Sequence, residues 1–456
     1  MNVPRSIFRQ YDIRGIVGRE LTPELARGLG RAFATAAWER LGRAPTLAVG
    51  RDNRPSGDSL AAALRLGIAD AGGTAVDVGV LPTPALYFAV SALPADGGVQ
   101  VTGSHNPPEF NGFKMVLGDE AFHGEDITGL WELIVAERWR SGAGGERSDA
   151  SVLPRYADAI LARHRLERPV TVVVDCGNGA GSLVAVPTLR ALGAEVVPLF
   201  CESDGTFPNH HPDPTVPENL RDLQTEVRRR GAELGLAFDG DADRIGAVDE
   251  TGAIVWGDQL LVLLGRDAVR RFGPGTPVIF DVKCSEVLPR ALADAGAQPV
   301  MWKTGHSLIK AKMRELGAPL AGEMSGHMFF GGDYLGFDDA LFAAARLLEI
   351  VSRGPFGLAG LLADLPRTHT TPEIRVEVPE ERKFAVVERA AEHFSALYPV
   401  NTIDGVRITY PDGWGLLRAS NTQPILVLRF ESTDPVTLDA HRGEVVSWLA
   451  GQGVRA

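Results

Sequence analysis

Three carboxylates at alternate positions, Asp239, Asp241 and Asp243, stand between the apolar run Leu234 to Phe238 and Arg244. In an extended chain that alternation sends all three to one side, and in a turn it gathers them round one point. Close carboxylates without partners repel, whereas a hard divalent cation that prefers oxygen ligands makes their clustering favourable. A calcium-binding hand does not fit. Glu250 falls at the twelfth place from Asp239, but the sixth is Arg244, where that loop requires glycine, and both flanks read as strands rather than helices. Magnesium suits the segment better, because its sites combine a few carboxylates with phosphate oxygens. A solvated acidic turn is the alternative that this segment alone leaves open.

A second chemical stretch lies far upstream, in Val101-Thr102-Gly103-Ser104-His105-Asn106-Pro107-Pro108. Gly98 to Val101 reads as a short strand, after which Gly103, Asn106 and the two prolines force an irregular loop. A hydroxyl at such a strand end is expected to be exposed to a ligand. Nucleophile, phosphoryl carrier and turn former are all compatible with Ser104 on spacing alone. Lys114 follows behind the Asn111-Gly112 turn, which can fold it back toward that loop. His306, in Lys303-Thr304-Gly305-His306-Ser307, comes just after a strand-like run, where ligand sites gather in open sheets.

The elements that must position these residues show a weak internal repeat. Thr46 to Val49 leads to Arg51-Asp52, a helix-like stretch follows, and Ala71-Gly72-Gly73 opens the strand-like Thr74 to Val78. The pattern returns as Val170 to Val174 with Asp175, then Leu192-Gly193-Ala194 before Glu195 to Phe200. A third copy runs from Val278 to Phe280 with Asp281, then Ala295-Gly296-Ala297 before Gln298 to Trp302. Such strand–helix–strand units predict α/β domains with mixed, mostly parallel sheets and helices on their faces.

Three successive α/β domains are therefore expected, over residues 1–150, 151–251 and 252–367, with linkers or turns at Arg138 to Ser151, Asp249 to Gly252 and Pro366 to Pro372. Residues 368–456 lack the repeat and read as a smaller α+β domain. Its expected elements are a strand at Ile374 to Val378, a helix at Glu380 to Leu397, strands at Gly405 to Tyr410, Gly415 to Arg418 and Ile425 to Phe430, and a helix at Thr437 to Leu449. The functional cleft is expected where all four domains meet.

The 456 residues carry a formal charge of −12 with no long Lys/Arg run, which disfavours nucleic acid and anionic membranes as partners. An acidic protein that binds anionic ligands must gather positive charge locally, and Arg14, Lys114, Arg244, Lys283 and Arg418 are the candidates. Three cysteines without metal-ligand spacing fit a reducing compartment. No basic region followed by an apolar stretch opens the chain, and no apolar run reaches spanning length. The expectation is a soluble cytoplasmic enzyme, a monomer or weak dimer.

In this order, five segments are identified as those of the α-D-phosphohexomutase superfamily. They are Tyr11-Asp12-Ile13-Arg14-Gly15, Thr102 to Lys114 (TGSHNPPEFNGFK), the triple-aspartate loop, Gly322-Glu323-Met324-Ser325-Gly326-His327, and Arg418-Ala419-Ser420-Asn421-Thr422-Gln423-Pro424. The resemblance covers essentially the whole chain, and the superfamily likewise has a fourth domain unlike its first three. It implies reversible movement of a phosphoryl group between the 1- and 6-positions of a hexose, through a phosphoserine at Ser104 and a hexose 1,6-bisphosphate that turns over in the site. Mg²⁺ is implied on Asp239, Asp241 and Asp243 with an oxygen of phosphorylated Ser104, and Arg244 as a forked donor to the same phosphate. Lys114 and His306 are both candidates for the base that deprotonates the attacking hydroxyl, with burial beside other cations expected to lower the lysine pKa. His105 is a candidate to orient Ser104, and His327 to hold the sugar loop.

By the same resemblance, Glu323 and Ser325 read the sugar O3 and O4. Arg418, Ser420, Asn421 and Thr422 hold the distal phosphate, Tyr11 and Arg14 assist at the other edge, and Lys283 lines the cleft. Glucose and mannose differ at C2, which those readers do not inspect, so use of either or both hexose phosphates is implied. Met324 resembles the bacterial phosphomannomutase/phosphoglucomutase branch. A glucosamine phosphate mutase is an alternative from which Gly103 and Asn421-Thr422-Gln423 depart. A metal-dependent sugar-phosphate phosphatase would use much of the same inventory. No Walker-type loop is present for a second phosphoryl donor, and Gln423 has no assigned role.

Overall fold

A computed structural model describes residues 3–118, 120–421 and 423–455. Each repeat unit forms the expected parallel pair. Strands Thr46–Arg51 and Thr74–Val80 flank helix Gly57–Asp70, Thr171–Asp175 and Glu195–Leu199 flank Ala185–Ala191, and Pro277–Asp281 and Gln298–Trp302 flank Val287–Asp294. Each parallel core is extended by antiparallel strands, so the three sheets are mixed. In the first, Phe110–Leu117 and then Ile13–Ile16 continue beyond Gly97–Val101. In the second, Leu234–Phe238 pairs parallel to Thr171–Asp175 and forms a hairpin with Ile245–Asp249, so the triple-aspartate segment is the hairpin loop. In the third, Leu320–Gly322 turns antiparallel into Met328–Phe330, and the sugar-loop residues lie between them.

Of the three inter-domain segments, two hold strands where linkers were expected and one is the expected turn. Within Arg138 to Ser151, Gly145–Ser148 is an edge strand parallel to Thr74–Val80. Two glycines that read as linker serve close packing instead: a Cβ on Gly144 would lie 2.0 Å from Gly73 O and one on Gly142 3.0 Å from Gly72 Cα, while the Gly144 and Gly145 amides donate to Ala69 O and Gly73 O at 2.9 and 3.1 Å. Asp249 to Gly252 is the expected turn, with Asp249 Oδ1 accepting from the Thr251 and Ala253 amides. Ile254–Val255 then returns to the second sheet. Near Pro366 to Pro372, His369–Thr370 already pairs with the last strand of the fourth sheet.

That fourth sheet is antiparallel throughout, built from Val400–Asn401, Val406–Tyr410, Gly413–Ala419 and Ile425–Ser432 with Ile374–Glu377 and His369–Thr370 on its far edge. Helices Glu380–Ser395 and Pro435–Gly451 cover it. The core follows the same division. One apolar cluster runs from the first domain into the second and third through helix Thr83–Ala92, whose first eight residues are buried. The fourth domain has its own core, and meets the third through a small separate cluster of Val282, Trp414 and Leu416.

Candidate active site

Ser104 sits where the serine loop of the first domain meets the aspartate hairpin of the second. Its side chain is not exposed as a strand-end hydroxyl was expected to be, because the residue is only 1 % accessible. Its backbone is left-handed, at φ 50°, a conformation that costs a non-glycine residue about 1–2 kcal/mol unless the surroundings enforce it. The enforcement comes from Asp52 and Arg54, which follow the first repeat's strand. The Arg54 guanidinium, wholly buried, donates to the carbonyls of Ser104, Asn106, Pro107 and Phe110 at 2.6 to 3.0 Å. Asp52 Oδ2 accepts from Arg54 Nε, Thr102 Oγ1 and the Gly103 amide, and Thr102 Oγ1 in turn accepts from the Ser104 amide. Gly103 is required here, since a Cβ would sit 2.6 Å from Arg54 Cζ.

The serine hydroxyl faces the aspartate hairpin, donating to Asp239 Oδ2 at 2.9 Å, with His105 Nδ1 at 3.1 Å. Asp239, Asp241 and Asp243 are each at most 1 % exposed, and each offers an oxygen to a common group within 4.8 Å. Burial, and then the two neighbouring carboxylates, push Asp239 well above the usual carboxylate range. Burial also raises Asp241, but Lys114 and the Thr83 hydroxyl outweigh it and hold that carboxyl below its usual value. Oδ1 of Asp241 and Oδ1 of Asp243 have no hydrogen-bond partner among the described residues. Buried carboxylate oxygens left unsatisfied in one small space are the donor set a hard divalent cation takes, so the residues present fit such an ion.

Lys114 reverses one expectation. Its Nζ donates to Asp241 Oδ2 at 2.8 Å and to Asp243 Oδ2. Burial works to lower its pKa, but those two carboxylates carry it well above the ordinary lysine value. Anions, not other cations, are its nearest neighbours. His306 opens helix His306–Leu316, and burial together with Lys310 keeps its imidazole well below the usual pKa and therefore neutral. Burial and then Arg244 do the same to His105.

Arg244 and the sugar loop are joined across domains. Arg244 Nε donates to His327 Nε2 at 2.9 Å, the Ile245 amide donates to Gly326 O at 3.0 Å, and His327 Nδ1 lies 3.0 Å from Asp338 Oδ2. Glu323 Oε1 accepts from the Gly305 amide at 2.7 Å and Oε2 from Ser325 Oγ at 2.9 Å, so the two expected sugar readers are already paired.

The fourth domain closes the other side. Asn421 Nδ2 donates to the Tyr11 hydroxyl, which donates to Thr304 O, both at 3.0 Å. Burial outweighs the Asn421 hydrogen bond and pushes Tyr11 up to about 12. Gly305 stands against this ring at φ 132°, where a Cβ would be 2.5 Å from Tyr11 Cζ. Arg418 is not free but pairs with Asp404 at 3.1 Å, and Asp404 Oδ2 also accepts from the Thr304 amide. Ser420 Oγ accepts from the Gln423 amide, which gives Gln423 a place in the turn. Lys283 is buried, 3.5 Å from Glu373 and 3.8 Å from Asp281. Arg14 binds Asp12 and Asn106 Oδ1, which places it on the serine loop rather than with Tyr11. Thr422 lies outside the described residues.

Asp52, Arg54, Thr83, Asp338 and Asp404 were not foreseen. Only Asp52 had a signal, its place at the end of the first repeat's strand, which Asp175 and Asp281 share in the other two.

The chain matches four successive family profiles described as phosphoglucomutase/phosphomannomutase: alpha/beta/alpha domain I over residues 5–138, domain II over 154–252, domain III over 256–369, and the C-terminal domain over 373–447. It is 50% identical to a phosphomannomutase/phosphoglucomutase of Pseudomonas aeruginosa over 434 residues, 94% of this chain and 92% of that one. It is 45% identical to a phosphoglucomutase of Neisseria gonorrhoeae, covering 96% and 95% of the two chains. Among solved structures, a phosphoglucomutase/phosphomannomutase family protein from Burkholderia thailandensis superposes with a TM-score of 0.92 at 45% identity, covering 99% of this chain and 98% of that one.

Proposed function

The chain belongs to the phosphoglucomutase/phosphomannomutase family and is a hexose-phosphate mutase of the isomerase type, and on that premise we propose that it exchanges the phosphoryl group of Ser104 with the 1- and 6-hydroxyls of a bound hexose phosphate. The observation that carries the reading is the Ser104 hydroxyl, held in a left-handed turn and aimed at Asp239 beside two further buried carboxylates. In the forward half-reaction the bond from phosphorus to Ser104 Oγ breaks as one to the sugar hydroxyl forms, giving a hexose 1,6-bisphosphate. After the sugar turns end over end, its other phosphate returns to Ser104.

The side chains divide the work by their charge. Lys114 and Arg244 place fixed positive charge at the transferring group, where positioning and electrostatics dominate phosphoryl transfer. His306 is neutral and serves as the base for the sugar hydroxyl, returning the proton in the reverse half-reaction. Lys114 stays an ammonium and contributes charge and hydrogen bonds, leaving the proton transfer to His306. Asp239, Asp241 and Asp243, with an oxygen on Ser104, would hold Mg²⁺, which when bound polarises phosphoryl oxygens and neutralises their charge. His105 orients the Ser104 hydroxyl, and His327 fixes the sugar loop through Arg244 and Asp338.

Glu323 and Ser325 read two adjacent ring hydroxyls, and Arg418, Ser420, Asn421 and Thr422 take the distal phosphate, with Tyr11, Arg14 and Lys283 completing the cleft. Both mannose and glucose phosphates are accepted, because no assigned reader inspects C2. We take the division at residues 1–150, 151–251, 252–367 and 368–456 as the working domains. No helix among the described residues is long and apolar enough to cross a membrane, and a cytoplasmic monomer or weak dimer is the proposed form.

Turnover of mannose 1-phosphate, glucose 1-phosphate and glucosamine 1-phosphate, with inorganic phosphate assayed in parallel, tests the reading. The first two are expected to isomerise comparably without phosphate release. Preference for glucosamine 1-phosphate, or steady release of inorganic phosphate, would overturn it.

A further inference from the structure

Two of the three cysteines meet in the second domain, away from the serine hydroxyl and the carboxylates. Strands Thr171–Asp175 and Glu195–Leu199 run parallel with Asp175 opposite Leu199. Cys176 and Cys201 therefore leave neighbouring strand ends together. Their sulfurs are 3.2 Å apart, both as free thiols. Cys176 is fully buried, whereas Cys201 is partly exposed and lines a cavity of about 470 Å³ with Phe200, Asn209 and Glu202. Cys201 is thus the member of the pair nearer solvent, and Cys176 is shielded behind it.

The turn that carries Cys176 is built into the catalytic scaffold. Cys176 O accepts from the Gly179 amide at 2.8 Å, and the Ala180 amide donates to Gly240 O at 2.8 Å in the middle of the aspartate hairpin loop. Contact there is so close that a Cβ on Gly179 would lie 2.6 Å from Gly240 O. The same turn reaches the serine clamp, because Asn178 O accepts from Asn53 Nδ2 at 2.6 Å, one residue before Arg54. Gly177 and Asn178 both hold left-handed backbones, at φ 51° and 57°. The turn has little freedom to absorb a shift without passing it to its neighbours.

We propose that Cys176 and Cys201 form a redox-sensitive pair that a hydroperoxide converts to a disulfide, restraining the aspartate hairpin and slowing turnover. Cys201, as thiolate, attacks one oxygen of hydrogen peroxide. The O–O bond breaks, hydroxide leaves, and the sulfur becomes a sulfenic acid. Cys176 then gives up its proton and its sulfur attacks the Cys201 sulfur. The S–S bond forms, the S–O bond breaks, and the departing hydroxide leaves as water. Overall, two thiols and one peroxide give one disulfide and two waters. The Cys176 thiol favours the thiolate at Cys201 by hydrogen bonding, and burial opposes it, with the net effect a lowered value. Closing the sulfurs from 3.2 Å to a bond of about 2.05 Å draws the strand ends together.

The test treats the full-length enzyme with hydrogen peroxide, maps its cysteines by mass spectrometry, and measures kcat before and after dithiothreitol. A disulfide between Cys176 and Cys201 is expected, with kcat lowered roughly tenfold to a hundredfold, as a small displacement of catalytic groups produces, and restored by the reductant. Cys201→Ser is expected to keep its basal kcat and to lose the peroxide response. Cys201→Ala serves the same purpose if the serine variant fails to fold. Sulfinic acid at Cys201 with Cys176 still a thiol, a disulfide that leaves kcat unchanged, or equal inactivation of the Cys201 variants would each overturn the proposal.

Discussion

Arg54 concentrates the energetics of the site on one side chain. A guanidinium with no solvent contact donates to four carbonyls of a single loop and to Asp52. Burial lowers its pKa, and Asp52 and Asp241 oppose that. Lysine keeps a charge but not the fork, so it cannot span carbonyls as far apart in sequence as Ser104 and Phe110. Arg54→Lys is expected to lower kcat roughly tenfold to a hundredfold with little change in KM, because Ser104 loses its alignment while the substrate contacts remain. Steady-state kinetics check this; an unchanged kcat would mean that the loop holds its own shape. The residues proposed to touch ligand were legible in the sequence because their chemistry is unusual in type and spacing. Arg54 was not, because an arginine two places after an aspartate carries no sign that its partners lie some fifty residues on. Lys114 was legible as a site residue but not in its protonation, which depends on the two carboxylates that folding brings to it.

At the scale of elements, the threefold repeat fixes more than the sheets. Asp52, Asp175 and Asp281 stand at the same strand end in each unit, each at most 1 % exposed. Each accepts from the loops that follow: Asp52 from Thr102 and Gly103, Asp175 from Gly177, and Asp281 from Thr304 and Met324. The repeat was readable from its strand runs and glycine stops, whereas the edge strand Gly145–Ser148 was hidden because close backbone packing selects the same glycines as a flexible linker. Helix contacts between the second and third domains carry a pH signature. His164 follows helix Val152–Leu161, bonds Ile160 O through Nδ1 at 2.9 Å, and packs against Phe342 of helix Ala340–Ser352. Burial, with Arg346 adding to it, lowers its pKa to about 3. The folded-state value is depressed, so the unfolded chain takes up a proton first. Stability from His164 is complete above about pH 6.5 and is lost as the pH falls toward about 3, at about 1.4 kcal/mol per pH unit. Tm measured down through this window should fall more steeply for the wild type than for His164→Phe; parallel curves would assign the acid sensitivity elsewhere.

For the whole molecule, the division of the core sets what can move. The first three domains share one continuous apolar cluster, whereas the fourth meets them through only a small apolar cluster and a set of polar contacts, among them Arg407, which stacks 3.8 Å over the Trp414 ring and donates to the carbonyls of Val282 and Cys284. Pro366 to Thr368 has no regular structure before the fourth sheet begins. A domain with its own core and a short connection rotates at modest cost, as the proposed turn of a bisphosphate in the site requires. In this arrangement Arg418 and Asp404 meet where the distal phosphate is proposed to bind. Arg418→Ala is therefore expected to act chiefly on KM, with a loss of roughly 2 to 4 kcal/mol in kcat/KM, and to release more bisphosphate per turnover. Unchanged KM and release would place the distal phosphate elsewhere.

The central claim is that Ser104 Oγ carries the transferred phosphoryl group. The direct measurement is peptide mapping of purified enzyme before and after a single turnover with unlabelled hexose phosphate, starting from protein whose phosphate is isotopically labelled. One phosphate per chain on Ser104, leaving with the sugar and replaced from it, is the expected result, with Ser104→Ala showing turnover far below wild type. Phosphate found on another residue, label that stays on the protein through turnover, or undiminished mutase activity in Ser104→Ala would contradict it.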